Sequence, residues 1–364
     1  MVGISSVSIS NLRGIKSCRL DEMADVNVLV GSNGSGKSTI LEAVYLASAW
    51  AQNNDPIRGK HKLDYTIERR TGRKSWMEAK EYLWYRMETQ NPIKITLTFT
   101  TGTKYALKII EQEKEVWLEL PRKVRAELAE YDHFSAATKT LLNLKTLRKT
   151  SGQHVLSEYV EAPETRFLGG AVLIDAELVT NPSHIEREVW PKALHKRLDK
   201  QVVEVLRQGY EPTAEGLTYM PYPEGLAVQL KDTTVRIDDL GDGARIAVIT
   251  GLALSTVKDT AVMIEDPESH QHPKGLAVIM DFALKMAKTN NLQLLITTHS
   301  IELVKILRKL SDKHSLKYKV YHVQRDHQGH VDTRTLTPED SELLEGLGER
   351  DIVAINGTML GGQT

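Results

Sequence analysis

Short apolar runs alternate with helix-like segments in the second half of the chain. The runs are rich in β-branched residues, whereas the segments between them carry apolar residues at helical spacing. This pattern predicts helices over residues 244–255, 274–289 and 301–310, with strands over residues 261–264 and 292–297 between them. Strands that alternate with helices form parallel sheets covered by helices, so we predict an α/β fold.

In the first half of the chain, predicted strands follow one another more directly. Alternating or β-branched residues predict strands over 7–9 and 26–30, with a turn at 11–14, and an antiparallel meander over 93–100, 105–110 and 116–120. Helical spacing predicts helices over 37–50 and 77–87. The stretch 52–75 is polar and basic without a clear period, so we predict a loop there.

The middle and the end of the chain complete the predicted order. Residues 121–150 are charge-rich and helical in pattern, and residues 183–208 predict one long amphipathic helix that Ser183 caps, with Glu186 three residues on. Further strands are predicted over 171–174, 217–237, 317–323 and 331–336, followed by a short closing helix.

Composition indicates a globular protein without a strong charge bias. The chain has 364 residues, of which 41% are hydrophobic and 26% charged, and its formal net charge is −1. The net charge therefore gives no general attraction to nucleic acid or membranes, and no apolar run approaches the ~20 residues that span a bilayer. The single cysteine, Cys18, excludes a disulfide framework. We expect a cytoplasmic protein with no membrane contact.

The clearest chemical signal is a glycine-rich loop between the predicted strand 26–30 and the helix that follows it. Residues 31–38 fit the pattern G-x-x-x-x-G-K-[ST] without a mismatch. A predicted strand precedes the loop and a predicted helix follows it, whereas an ordinary glycine-rich turn requires neither. Glycines let backbone N–H groups surround phosphate oxygens, Lys37 can reach the β- and γ-phosphates, and the Ser38 hydroxyl can bind Mg²⁺. We predict that ATP and Mg²⁺ are bound by Gly31, Ser32, Asn33, Gly34, Ser35, Gly36, Lys37, Ser38 and Thr39.

Two predicted strands end in polar residues at the sheet edge where α/β proteins bind ligands. One is followed by Glu265 and Asp266, of which one can hold the Mg²⁺ shell while the other deprotonates the attacking water. The other leads to His299, which can hydrogen-bond the γ-phosphate or that water. Two simpler interpretations stay open, namely a solvated acidic turn after the first strand and a helix cap after the second, where Ser300 is equally suitable.

Several segments occur in the order that is typical of one family of ATPases. They are Asn11-Leu12-Arg13-Gly14-Ile15-Lys16, the glycine loop followed by Ile40-Leu41-Glu42-Ala43, Leu240-Gly241-Asp242-Gly243, Glu265-Asp266-Pro267-Glu268 and Thr298-His299-Ser300. With them the chain resembles the ABC-type ATPases of the RecF and structural-maintenance-of-chromosomes branch and, within it, the stand-alone ATPases related to the overcoming-lysogenization-defect nucleases. The resemblance implies one two-lobed head over residues 1–364, with an antiparallel β lobe, a mainly parallel sheet flanked by helices, and a short helical insertion over residues 121–165.

The resemblance also assigns roles to the residues around the nucleotide. Asp266 would be the catalytic carboxylate and Glu265 the carboxylate on the Mg²⁺ side, together with Ser38. His299 would be the switch histidine. The remaining implied roles are those of the alternative base, Glu268, and of a residue near the nucleotide, Arg13.

A second implied feature is a homodimer that forms around two ATP molecules. The signature segment, Leu240–Arg245, would act in trans through Gly241, Asp242 and Gly243, on ATP held by the phosphate loop of the other subunit. Gly241 stands where transporter-type members have a serine, so this contact would come from backbone N–H groups. The acidic pair runs Glu-Asp rather than Asp-Glu, and the shorter Asp266 implies slow hydrolysis.

Two classes of partner remain open. Basic clusters at 58–80, 122–149 and 305–319 could neutralise DNA phosphates, although each could equally be a solvated face. In the first interpretation the head acts on DNA or gates a separately encoded nuclease, in repair or defence, and has no nuclease activity of its own. In the second it is a regulatory module whose ATP state controls a protein effector. The His270-Gln271-His272 segment is interpreted as a structural or partner contact rather than a metal site.

Overall fold

The computed structural model describes residues 2–72, 75–119, 141–142, 159 and 161–337. Its helices are α1 (Lys37–Ser48), α2 (Lys62–Thr71), α3 (Trp76–Ala79), α4 (Pro163–Gly169), α5 (Ala176–Thr180), α6 (Trp190–His195), α7 (Asp199–Gly209), α8 (Asp242–Thr256), α9 (Pro273–Thr289) and α10 (Ile301–His314). Its strands are β1 (Ile4–Leu12), β2 (Ile15–Leu20), β3 (Val26–Val30), β4 (Ile93–Phe99), β5 (Lys104–Ile109), β6 (Val116–Glu119), β7 (Leu141–Leu142), β8 (Val172–Ile174), β9 (Ala214–Pro221), β10 (Glu224–Leu230), β11 (Thr234–Arg236), β12 (Thr260–Glu265), β13 (Leu292–Thr298), β14 (Tyr318–Arg325) and β15 (His330–Leu336).

One long mixed sheet organises the molecule, in the order β7-β6-β5-β4-β1-β2-β15-β14-β3-β13-β12-β8. Strands β14, β3, β13, β12 and β8 are mutually parallel, and the part from β7 to β2 is antiparallel. The predicted α/β fold class is confirmed, and the antiparallel and parallel parts share this one sheet. Because β3, β13, β12 and β8 run in the same direction, their carboxyl ends meet at one edge. A separate antiparallel sheet has the order β11-β10-β9.

Strands β3, β8, β12 and β13 are buried on both faces, which explains why their sequences are mostly apolar. Successive residues of β12 alternate between two cores: Ala261 and Met263 join the core that contains α1, whereas Val262 and Ile264 join the core that contains α7, α8 and α9. The phosphate loop helix therefore lies on one face of the sheet and the helix that follows the signature segment on the other.

The stretch 52–75, predicted as a loop, contains helix α2 instead. That prediction is wrong. Helix α2 is polar in composition, which hid its helical period, but Leu63, Tyr65 and Ile67 are buried and Lys62 is fully enclosed. Charged residues of this stretch are neutralised by residues far away in the chain, which local periodicity does not show.

The single long helix predicted over 183–208 is also wrong. The chain forms a π-helical turn at Ile185–Val189, then α6 and α7. Arg197 has a left-handed φ of 58° and so separates α6 from α7. Ser183 donates to Asn181 rather than capping a helix, and the carboxylate of Glu186 accepts the N–H of Leu226.

One predicted helix differs from the structure, and two further predicted regions fall mostly or wholly outside the described residues. Residues 77–87 form only the end of α3 and two short 3₁₀ turns. Most of the predicted insertion 121–165 and the closing helix lie outside the described residues, although β7 pairs with β6 inside that stretch. Within the described part of the chain, no helix is both long and apolar enough to cross a membrane.

Candidate functional site

The phosphate loop connects β3 to α1 at the edge where the parallel strands end. Gly31 and Gly36 have φ values of 153° and 106°, and a Cβ atom at Gly31 would collide with the carbonyl oxygen of Val323. Glycine is therefore required at these two positions. Gly36 is the N-cap of α1, which has no side-chain cap and no acidic residue in its first turn. The N-terminus of α1 is thus open to an anion such as phosphate.

Lys37 lies in this loop under the influence of two carboxylates. Its Nζ atom donates to the carbonyl oxygens of Gly31 at 2.7 Å and Ser32 at 3.0 Å. Burial lowers the pKa of Lys37, and the charges of Asp266 and Glu268 oppose this effect. The structure therefore brings the predicted lysine close to both predicted acids.

Asp266 is held in place by the end of β13. Its backbone adopts a left-handed φ of 43° directly after β12, and its N–H donates to the carbonyl of Thr297 at 3.2 Å. The Thr297 hydroxyl donates to Asp266 Oδ1 at 2.9 Å. These contacts fix the orientation of the carboxylate, since both partners belong to a strand of the sheet.

Glu268 is held by the next residues of the same strand. Its Oε1 atom accepts from the Thr298 hydroxyl at 2.6 Å and from the His299 N–H at 2.9 Å. Its Oε2 atom is buried without a hydrogen-bond partner among the described residues. A buried carboxylate oxygen without a donor is a suitable acceptor for a proton or for water.

Glu265 points toward arginine side chains of α2. Arg69 Nη2 forms an ion pair with its Oε2 atom, and Arg70 Nη2 lies 3.8 Å from its Oε1 atom. Ser38, in the first turn of α1, is the other predicted Mg²⁺ residue. Hydroxyl and carboxylate oxygens are donors that suit Mg²⁺. In the described ranges no group of three His, Cys, Asp or Glu side chains could hold a metal.

Three charged residues that pair with one another beside Glu265 were given no role from the sequence, namely Arg69, Glu42 and Asp175. Arg69 lies 2.7 Å from Glu42 of α1 and 3.0 Å from Asp175, which follows β8. Burial alone would raise the pKa of Glu42, but Arg13, Arg69 and Arg70 outweigh it and hold that pKa below its usual value. The sequence signal that could have revealed this cluster was Glu42, a charged residue in the apolar part of α1.

Arg13 makes different contacts from those expected of a nucleotide ligand. Its side chain forms an ion pair with Glu42 and donates to the carbonyl of Thr66 at 2.5 Å. Only 13% of the side chain is exposed. In this structure Arg13 joins α1 to α2, and a contact with nucleotide stays a prediction.

His299 is exposed and does not cap α10. Ser300 does so, since its hydroxyl accepts the N–H of Leu303 at 3.2 Å. The interpretation of His299 as a helix cap is therefore wrong. Its role at the γ-phosphate stays a prediction.

The signature segment begins α8 on the other side of β12. Gly241 is the N-cap without a side-chain cap, a Cβ atom there would meet nothing within 4 Å, and Arg245 pairs with Asp242 at 2.9 Å. A cavity of about 660 Å³ separates this segment from the end of β12, and its lining includes Asp242, Glu265 and Asp266 but no phosphate loop residue.

The histidine pair at 270 and 272 has ordinary structural contacts. His272 caps α9 by accepting the N–H of Lys274 at 3.3 Å, and His270 lies 3.9 Å from Asp242. Gln271 between them donates to the carbonyl of Gly243 at 3.2 Å. This loop thus supports the start of α8.

Comparison with known proteins identifies a family and relatives of this chain. Residues 3–167 and 180–304 match the family described as AAA ATPase domain. An ATP/GTP phosphatase of Helicobacter pylori is 22% identical over 370 residues, covering 93% of this chain and 97% of that protein. An uncharacterized protein of Methanocaldococcus jannaschii is 28% identical over 109 residues, covering 30% of this chain and 96% of that protein.

Two further similarities are a short match in sequence and a match in fold. The DNA replication and repair protein RecF of Hahella chejuensis is 42% identical over 66 residues, which are 18% of this chain and 16% of RecF. An Smc head bound to the C-winged helix domain of ScpA has a TM-score of 0.56 at 12% identity, covering 93% of this chain and 99% of that one. The chain therefore belongs to the AAA ATPase domain family, with a short stretch similar to RecF and a fold similar to that of the Smc head.

Proposed function

We propose that the chain binds Mg²⁺–ATP in the phosphate loop and hydrolyses it with Asp266 as the base for the attacking water. One observation carries this proposal: Lys37, Asp266 and Glu268 come together at the ends of β3, β12 and β13. Lys37 and the N-terminus of α1 would hold the phosphates, and Ser38 and Glu265 would face the Mg²⁺ shell. Bound Mg²⁺ would neutralise the charge that develops on the phosphates.

The test is the change Lys37→Ala. We expect it to abolish ATP binding or turnover with little effect on the fold, because Lys37 contacts only loop carbonyls. The measurements are binding of a fluorescent ATP analogue, phosphate release and the melting temperature. Lys288→Ala, at an exposed position of α9, is the matched control. Unchanged turnover in Lys37→Ala would refute the proposal.

We further propose that ATP joins two chains into a homodimer that acts on DNA or gates a separately encoded nuclease. The relative that supports this is RecF, a DNA replication and repair protein. The resemblance to ATPases related to the overcoming-lysogenization-defect nucleases suggests a nuclease partner. Gel shifts with duplex DNA over a salt series, with and without ATP, test the DNA arm, since phosphate contacts make binding salt-dependent.

The second candidate function is a regulatory head whose ATP state controls a protein effector. It is supported by the Smc head structure, which contains a domain of another protein, ScpA. ATP-dependent dimerisation without a DNA shift at low salt would favour this candidate. A salt-sensitive, ATP-dependent shift would favour the first.

A further inference from the structure

One guanidinium group in the interior contacts three carboxylates from three separate elements. Arg69, near the end of α2, pairs with Glu42 of α1, with Asp175 after β8 and with Glu265 at the end of β12. Its side chain is only 7% exposed. An arginine has five N–H donors in a fixed planar fork, so it can bind several acceptors at set angles, which a lysine cannot do.

The three carboxylates depend on Arg69 to different degrees. Glu42 also pairs with Arg13 and, at 3.0 Å, with Arg70. Asp175 also pairs with Arg58 at 2.6 Å. Glu265 has no second close cation among the described residues, since Arg70 is 3.8 Å away. Loss of Arg69 would therefore leave two of the carboxylates neutralised and would release only Glu265.

The contact with Arg69 also leaves one oxygen of Glu265 available. Arg69 pairs with Oε2, whereas Oε1 has only the distant Arg70. Glu265 lies in the lining of the cavity next to Asp266. A carboxylate fixed through one oxygen can present the other at a constant position, which is how outer partners orient groups around a metal.

We propose that Arg69 is a positioning residue for ATP hydrolysis, which holds Glu265 so that its second oxygen faces the shell of Mg²⁺ bound to ATP. This inference rests on the proposed function of the site. Through Glu42 the same residue ties that carboxylate to the phosphate loop helix, and through Asp175 it ties both to the end of β8. The two sides of the nucleotide site thus share one rigid connection.

The decisive variant is Arg69→Lys, because it keeps the charge of the network and removes only the fork. We expect it to fold and to bind ATP without Mg²⁺ as the wild type does. The Mg²⁺ concentration for half-maximal binding of a fluorescent ATP analogue should rise about tenfold, with a similar loss in kcat, since changes to outer partners cost ~10–100-fold in metal affinity or activity. Arg166→Lys, at an exposed position of α4 away from this network, is the control and should leave both values within about twofold, as most exposed charge contacts are weak.

Melting without any nucleotide gives a second, independent measurement. If Arg69 and Glu265 act as one unit, Arg69→Lys and Glu265→Gln should each lower the melting temperature, and the double variant should lie no lower than the worse single variant. Additive losses, or an Arg69→Lys protein whose Mg²⁺ dependence is unchanged or shifted to lower concentration, would overturn the proposal. A wild-type chain that neither binds nor hydrolyses Mg²⁺–ATP would instead refute the proposed function, and the melting experiment would still report the pairing.

Discussion

At the scale of single residues, the site consists of acids whose surroundings differ. Asp266 is bonded to the hydroxyl of Thr297, Glu268 is bonded through one oxygen only, and Glu265 is paired with Arg69. The same kind of group therefore has three different chemical settings within a few residues of β12. Substitutions that keep size and remove charge can separate their roles.

Hydrolysis should depend on Asp266 more than on Glu268. Asp266→Asn keeps the hydrogen bond from Thr297 and removes the proton acceptor, so we expect bound ATP with turnover at least ~100-fold lower. Glu268→Gln should lower turnover less. The measurements are single-turnover phosphate release and ATP binding. The reverse order, with Glu268→Gln inactive and Asp266→Asn normal, would identify Glu268 with its unpartnered oxygen as the base.

Lys62 should make stability depend on alkaline pH. It donates to the Ser48 hydroxyl at 2.7 Å inside the protein, and burial lowers its pKa to about 8 from 10.5. Between these two values the unfolded chain binds more protons than the folded one, so the contribution of Lys62 to the free energy of unfolding should rise as pH rises. Below about pH 8 both states are protonated and the contribution should be constant. Urea unfolding of the wild type and Lys62→Met over this range measures the difference, and parallel pH curves would contradict the prediction.

At the scale of elements, helix termini explain how the site is presented. The N-terminus of α1 has no side-chain cap where phosphate is expected, whereas α10, next to it in the site, is capped by Ser300. An uncapped N-terminus costs stability unless a ligand satisfies its N–H groups. The N-terminus of α1 is thus available for binding, whereas the N-terminus of α10 is satisfied by the folded chain itself.

The two ends of α10 should respond in opposite directions. Ser300→Ala removes the cap and should lower the free energy of unfolding by about 1 kcal/mol. Ser315, at the other end, has a left-handed φ of 55°, so Ser315→Gly should raise it by up to ~1 kcal/mol. Urea unfolding of both variants tests the pair. A stability loss in Ser315→Gly would show that the end of α10 is not under backbone strain.

At the scale of the whole molecule, the proposed homodimer can be tested at two helix N-termini. The signature segment and the phosphate loop of one chain do not line the same cavity beside β12, and the predicted role of the signature segment is to contact the γ-phosphate of ATP held by another chain. The N-terminus of α8, beginning at Gly241, is exposed and uncapped and could bind that phosphate from another subunit. Closure of the site and dimerisation would then be the same event.

We predict a monomer or weak dimer without nucleotide and a tighter dimer with Mg²⁺–ATP in the Asp266→Asn background. Gly241→Asp should block that dimer by placing negative charge against the phosphate, with ATP still bound to the monomer. Gly241→Ala is the neutral control, and the open space around Gly241 accepts both side chains. Gly243→Asp should act in the same direction, although a Cβ atom there would lie only 3.3 Å from the carbonyl of His270. Sedimentation decides the matter, and a dimer that survives Gly241→Asp would show that the signature segment does not act in trans.

The sequence by itself determined the phosphate loop, the strands that end at Glu265 and Thr298, and the α/β class, because each depends on local spacing: backbone turns that need glycine, and apolar runs that need burial. Only the tertiary structure decided the place of α2, the break within 183–208, and the pairing of Arg69 with Glu42, Asp175 and Glu265. The place of α2 and the pairing of Arg69 rest on charges from distant parts of the chain that neutralise one another when buried, whereas the break lies at Arg197, whose φ is left-handed. A charged residue looks the same in the sequence whether its partner is water or a carboxylate that lies far away in the chain.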